Sequence, residues 1–136
     1  MKKNISILLF LTMAFTNAKA NSNTDTVYTY YDAARNKYVL KGNELEYTPV
    51  KASESSSGIY SGGIYSSKVI TEKESQEVVK LFKAALSNKK AQTNKNIKPN
   101  AAVEIDAGNK KINFLLKSAA VINISLNNFL NQLIKN

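Results

Sequence analysis

The chain has no cysteine and no histidine, and only two prolines and five glycines. Without histidine it lacks the commonest general base and metal ligand. Without cysteine as well, thiol catalysis, iron–sulfur clusters and zinc sites of the usual composition are excluded. A Ser-His-Asp triad cannot be built. Disulfides and a lipid-modified cysteine are excluded too. Arginine is almost missing: of nineteen basic residues only Arg35 is one. Phosphate and carboxylate recognition favours the planar arginine fork, so the charge here is of a less specific kind.

There is one long apolar run. Ile5–Phe15 follows Lys2 and Lys3 and precedes Ala18-Lys19-Ala20. A positive start, a short apolar stretch and small residues at two positions before a cleavage site form the pattern of a secretory signal. Eleven residues rise only about 16 Å as a helix, roughly half of a bilayer core. Residues 1–20 are therefore expected to be a cleavable signal peptide, and 21–26 a disordered lead-in. The working part is expected to be a single domain over 27–136 in the periplasm or secreted, soluble and not a lipoprotein. The lack of disulfides in an exported chain points to a bacterial setting.

Removing the signal leaves sixteen basic and ten acidic groups, a net charge of +6. The charge is uneven. Residues 21–77 carry six basic and eight acidic groups, whereas 78–136 carry ten and two. Lys80, Lys83, Lys89, Lys90, Lys95 and Lys98 are thus a candidate patch for an anionic partner. The plain alternative is a lysine- and asparagine-rich composition with solvated side chains.

Three strands are expected at Val27–Tyr31, Lys37–Lys41 and Glu44–Val50, with Gly42-Asn43 as a tight hairpin turn. Residues 51–67 combine serine, glycine and two copies of Gly-Ile-Tyr-Ser, and read as a flexible loop. Residues 71–88 form the clearest helix. Thr71 and Glu74 have capping-box spacing, and Val78, Phe82 and Ala85 make an apolar stripe. A lysine-rich loop is expected over 89–100. Strands follow at Ala102–Asp106 and Lys111–Leu116, and then a final helix capped by Ser125. The expected fold is α+β: a mainly antiparallel sheet of about five strands, ordered β-β-β-α-β-β-α, with two amphipathic helices on one face.

Chemistry-bearing patterns are sparse. Glu44/Glu46 and Glu104/Asp106 are spaced to share a strand face, as a pair of glycosidase carboxylates would need. Alternation on a solvent face gives the same spacing. Asp106–Asn109 lacks the ligand density of a calcium loop. The glycine-rich loop lacks the Gly-Lys-Ser/Thr ending of a phosphate loop. Seven tyrosines crowd the first half while the lysines crowd the second, so the interleaving expected of a nucleic-acid binder is absent. No catalytic residue, metal site or cofactor is assigned, and no transmembrane segment is expected after the signal.

The leading expectation is a non-enzymatic exported binding domain. Its partner would be a protein or an envelope polymer, met through Ile59, Tyr60, Ile64 and Tyr65, since paired Ile-Tyr is out of place in a plain linker. The alternatives are a carboxylate-based hydrolase and an electrostatic binder of an anionic envelope polymer.

Overall fold

The computed structural model describes residues 25–55, 57–59 and 61–136. The expected signal at 1–20 and most of the lead-in at 21–26 lie outside the described residues. One antiparallel sheet is formed by β1 (Val27–Tyr31), β2 (Lys37–Lys41), β3 (Glu44–Thr48), β4 (Ser66–Val69), β5 (Gln92–Thr93), β6 (Ala101–Asp106) and β7 (Lys111–Leu116). Its spatial order is β4-β3-β2-β1-β6-β7-β5. Two helices, α1 (Glu72–Ser87) and α2 (Val121–Lys135), complete the α+β fold and pack against each other.

The sheet has seven strands, not about five. The two additions are its edges. At one edge β4 pairs with β3, placing Glu46 opposite Ser67 and Leu45 opposite Lys68. Its sequence, Ser-Ser-Lys-Val, carries little strand signal because an edge strand buries little. At the other edge β5 is two residues long and pairs only with β7. The final helix also begins earlier than Ser125. Ala120 stands at its N-cap without a side-chain hydrogen bond, and Asn123 inside the helix donates back to the carbonyls of Lys117 and Ser118 at 3.2 and 3.4 Å.

Alternation sorts the sheet into two faces. Tyr30, Tyr38 and Tyr47 lie side by side across β1, β2 and β3, and all three are buried. Their rings contact in sequence at 6.0 and 4.9 Å between centroids. From the helices, Phe82 of α1 meets the Tyr28 ring at 5.2 Å, and Asn123 of α2 accepts the buried Tyr30 hydroxyl at 2.7 Å. Burial raises the Tyr30 hydroxyl well above the usual tyrosine range, with Asp32 and Tyr38 adding to the effect. The alternate residues form a polar face that includes Lys37, Glu46, Glu104 and Asn113.

The first turn of α1 is fixed twice. Thr71 Oγ1 accepts from the Glu74 amide at 3.1 Å, and a Glu74 carboxylate oxygen accepts from the Thr71 amide at 3.0 Å. Ser75 Oγ donates to the Gly42 carbonyl at 2.7 Å, tying the helix to the β2–β3 turn. At the far end, Gln92 Nε2 donates to the Ala85 and Leu86 carbonyls, both at 2.9 Å, which satisfies groups the helix itself leaves open. The Thr71 amide, then the Thr71 hydroxyl and the nearby Lys68 charge, hold the Glu74 carboxyl below its usual value of 4.5. A depressed folded-state pKa stabilises fully above the unfolded value, and the contribution is lost as pH falls through the lower one. The stability gap between wild type and Glu74→Gln is therefore expected to be largest near neutrality and to close as pH drops below 4.5. Urea unfolding at several pH values measures it.

By register, Lys68 is on the same side of the sheet as Leu45. A charge on the inward side of an edge strand, on a strand of only four residues, discourages another strand from adding there.

The two ends of the sheet differ. At one end lie the short turns at Gly42-Asn43 and 107–110. At the other, β1 and β3 finish, β2, β4 and β6 begin, and β7 finishes. The long connections meet at this second end, called the loop end below.

Candidate functional site

The β1–β2 turn builds the base of the site. Asp32 accepts from the amides of Ala34 and Asn36 and from Asn36 Nδ2, all at 2.9 Å. Arg35 takes a left-handed φ of 73° within this turn, a conformation that needs such support in a non-glycine residue. Asn36 is buried to 4% exposure. Its Oδ1 accepts from the Val50 amide at 2.9 Å, so one carboxamide joins the β1–β2 turn to the chain leaving β3.

The loop of interest rests on this base. Gly62 donates its amide to the Val50 carbonyl at 3.1 Å, and its own carbonyl accepts the Tyr47 hydroxyl at 2.6 Å. Gly62 lies so close to Asn36 and Pro49 that a Cβ there would collide with the Asn36 side-chain oxygen. A glycine is needed for proximity, not for an unusual backbone angle. Earlier in the loop, Ala52–Glu54 forms a 3-10 turn closed by Glu54 accepting from the Lys51 amide at 3.3 Å.

Apolar side chains flank the anchored glycine and face solvent. Ile59 is 85% exposed, Ile64 87% and Tyr65 54%. Tyr60 lies outside the described residues. Partial desolvation, and then the Glu46 carboxylate, raise the Tyr65 hydroxyl pKa. Isolated exposed aliphatics are ordinary. Two nearly bare isoleucines beside a half-exposed tyrosine, on a loop pinned by a core tyrosine, are not required by the core.

The lysines singled out from the sequence, Lys80, Lys83, Lys89, Lys90, Lys95 and Lys98, are all exposed. They do not form one cluster by element. Lys80 and Lys83 are on α1, Lys89 and Lys90 on the 3-10 turn after it, and Lys95 and Lys98 on the connection to β6. Lys117 Nζ donates to the Lys90 carbonyl at 2.8 Å, bringing the end of β7 to that turn.

The two carboxylate pairs are apart. Glu44 and Glu46 lie on β3 and Glu104 and Asp106 on β6, with β2 and β1 between them, a separation of about 14 Å at ordinary strand spacing. Each acid has a local partner. Glu44 accepts from Ser67 at 3.1 Å, Glu46 from Thr48 at 3.5 Å, and Asp106 from the Gly108 amide at 2.9 Å. Glu104 forms an ion pair with Lys111 at 3.1 Å. A groove of about 220 Å³ on the polar face is lined by Tyr31, Ala102, Glu104, Asn113 and Leu115, among others. It is smaller than the usual ligand pocket and holds one carboxylate. No group of three acids that could hold a metal ion occurs among the described residues, and none of their helices is long and apolar enough to cross a membrane.

Sequence reasoning singled out the exposed isoleucines and Tyr65 but not the residues that hold them. Asn36 reads as an ordinary turn asparagine, and Gly62 as one of several loop glycines. It also passed over Ile97 (57% exposed), Val121 (78%) and Ile124 (48%). No known protein-family model matches the chain, and no curated protein matches it in sequence.

Proposed function

We propose that this chain is an exported, non-enzymatic binding domain that meets an envelope or secreted partner through the loop carrying Ile59, Ile64 and Tyr65. In this reading the sheet and two helices, the helices covering the Tyr28/Tyr30 face, are a scaffold that displays that loop. One observation carries the proposal: bare apolar side chains flank a glycine that the core holds through Tyr47, Val50 and Asn36. Holding a loop before contact lowers the ordering cost of binding, and exposed apolar area supplies the gain.

The double variant Ile59→Asp/Ile64→Asp separates display from folding. Its unfolding free energy is expected to stay within about 0.5 kcal/mol of wild type, as for surface changes generally. Recovery of the chain with the envelope fraction of its host is expected to fall at least tenfold. Undiminished recovery of a well-folded double variant would refute the proposal.

A further inference from the structure

We infer that the partner is an anionic lipid surface, and that the whole loop end of the sheet docks on it. The inference rests on the reading of the Ile59–Tyr65 loop as a contact site and extends it to three neighbouring turns. Those turns are joined by hydrogen bonds. Asn36 connects to Val50 and so to Gly62. Arg35 Nη2 donates to Asn96 Oδ1 at 3.3 Å. Asn100 donates through Nδ2 to the Lys95 carbonyl at 3.0 Å, and its Oδ1 accepts from the Ser118 amide at 3.1 Å. The turn at Lys117–Ala120 then opens into α2.

All of these segments except the Asp32–Asn36 turn carry or adjoin a large exposed aliphatic. Ile64 is 87% exposed, Ile97 57% and Val121 78%. They sit on separate segments: Ile64 in the loop before β4, Ile97 in the β5–β6 connection and Val121 at the first position of α2. Separate knobs suit a fluid interface better than a shaped protein partner.

Charge at the same end is net positive. Arg35, Lys37, Lys51, Lys95, Lys98 and Lys117 gather there. The acids among them, Asp32 and Glu54, are turned onto backbone amides of their own turns. At the opposite end Lys41 faces Glu44 and Lys111 faces Asp106 across the strands, so two of the three lysines at those turns face an acid. Lysine stems can lie along apolar surface with the ammonium at headgroup level. Each lysine near an anionic surface is worth about fivefold in partitioning, and stable attachment takes apolar and basic contacts together. A soluble polyanion would use the lysines and leave the aliphatics idle.

The test is sedimentation of the full chain with phosphatidylglycerol–phosphatidylcholine vesicles and with pure phosphatidylcholine vesicles. All variants share the same N-terminal segment, so differences among them read the loop end alone. Binding to the anionic vesicles is expected to fall on the order of 25-fold or more for Lys95→Glu/Lys98→Glu. It is expected to fall at least tenfold for Ile64→Asp/Ile97→Asp/Val121→Asp, and to weaken as salt is raised. Lys41→Glu/Lys110→Glu, at the opposite end, is expected to bind within twofold of wild type. Circular-dichroism melts establish that each variant is folded. Equal binding to neutral vesicles, an equal loss from the opposite-end variant, or polyphosphate binding as tight as lipid and indifferent to the aliphatic changes would overturn the lipid assignment. A photocross-linker at position 64 separates the two levels. A protein adduct without vesicle binding overturns the lipid surface and leaves the loop reading standing, while no adduct and no vesicle binding overturns both.

Discussion

Phe82→Ala is expected to destabilise the domain by about 3–5 kcal/mol, measured by urea unfolding of the variant against wild type. Phe82 is 1% exposed, midway along α1, with its ring against Tyr28. Its ring meets Tyr28 of β1 within the one hydrophobic core, and α1 also packs against α2, so a ring-sized void there has little room to close. The cavity term therefore adds to the lost transfer energy. A small domain has roughly 5–15 kcal/mol in total, so the variant should retain the fold with much of its margin gone. No disulfide holds the chain while the core loosens, since there is no cysteine. A loss below about 1 kcal/mol would mean that α1 is not seated on Tyr28 as described.

Asn36→Ala is expected to cost about 2–3 kcal/mol and to free the display loop at the same time. The carboxamide accepts from the Val50 amide and donates to Asp32, both at 2.9 Å, at a site only 4% exposed. Truncation leaves a buried amide without its acceptor, and the cost of that orphan exceeds the net worth of the bond. Gly62 rests against the same side chain and donates to the Val50 carbonyl, so the anchor and the loop should loosen together. Amide hydrogen exchange measures both: faster exchange at Val50 and Gly62, with β6 and β7 unchanged. Acceleration spread evenly over the sheet would point to a general loss of stability and not to a local anchor.

How much of this could be read from the sequence depends on the range of the interaction. The α1 cap was readable because Thr71 and Glu74 are three residues apart and act within one turn. The β2–β3 hairpin was readable for the same reason, from Gly42-Asn43 between alternating runs. The two edge strands were not. Ser66–Val69 is polar because a sheet edge demands little burial, so its serines resemble the loop before it. Gln92-Thr93 is too short to hold a pattern. Ser125 looked like a cap by residue type, yet α2 starts at Val121, directly after the Lys117–Ala120 turn, and its N-cap Ala120 makes no side-chain cap bond. The site divides in the same way. Repetition of Gly-Ile-Tyr-Ser drew attention to the isoleucines locally. The contact between Asn36 and Gly62 spans the whole of β2 and β3, and nothing within a short window records it. The grouping of Ile64, Ile97 and Val121 at one end likewise follows only from strand direction and register.

The central claim is that the loop end, and not the opposite end, is where the domain makes contact. The most direct measurement is photocross-linking in the intact host, with the reactive group placed at position 64 in one protein and at the exposed Asn109, in the β6–β7 turn, in another. The account predicts a lipid adduct from position 64 and none from position 109. Equal labelling from both ends, or labelling from 109 alone, would contradict it.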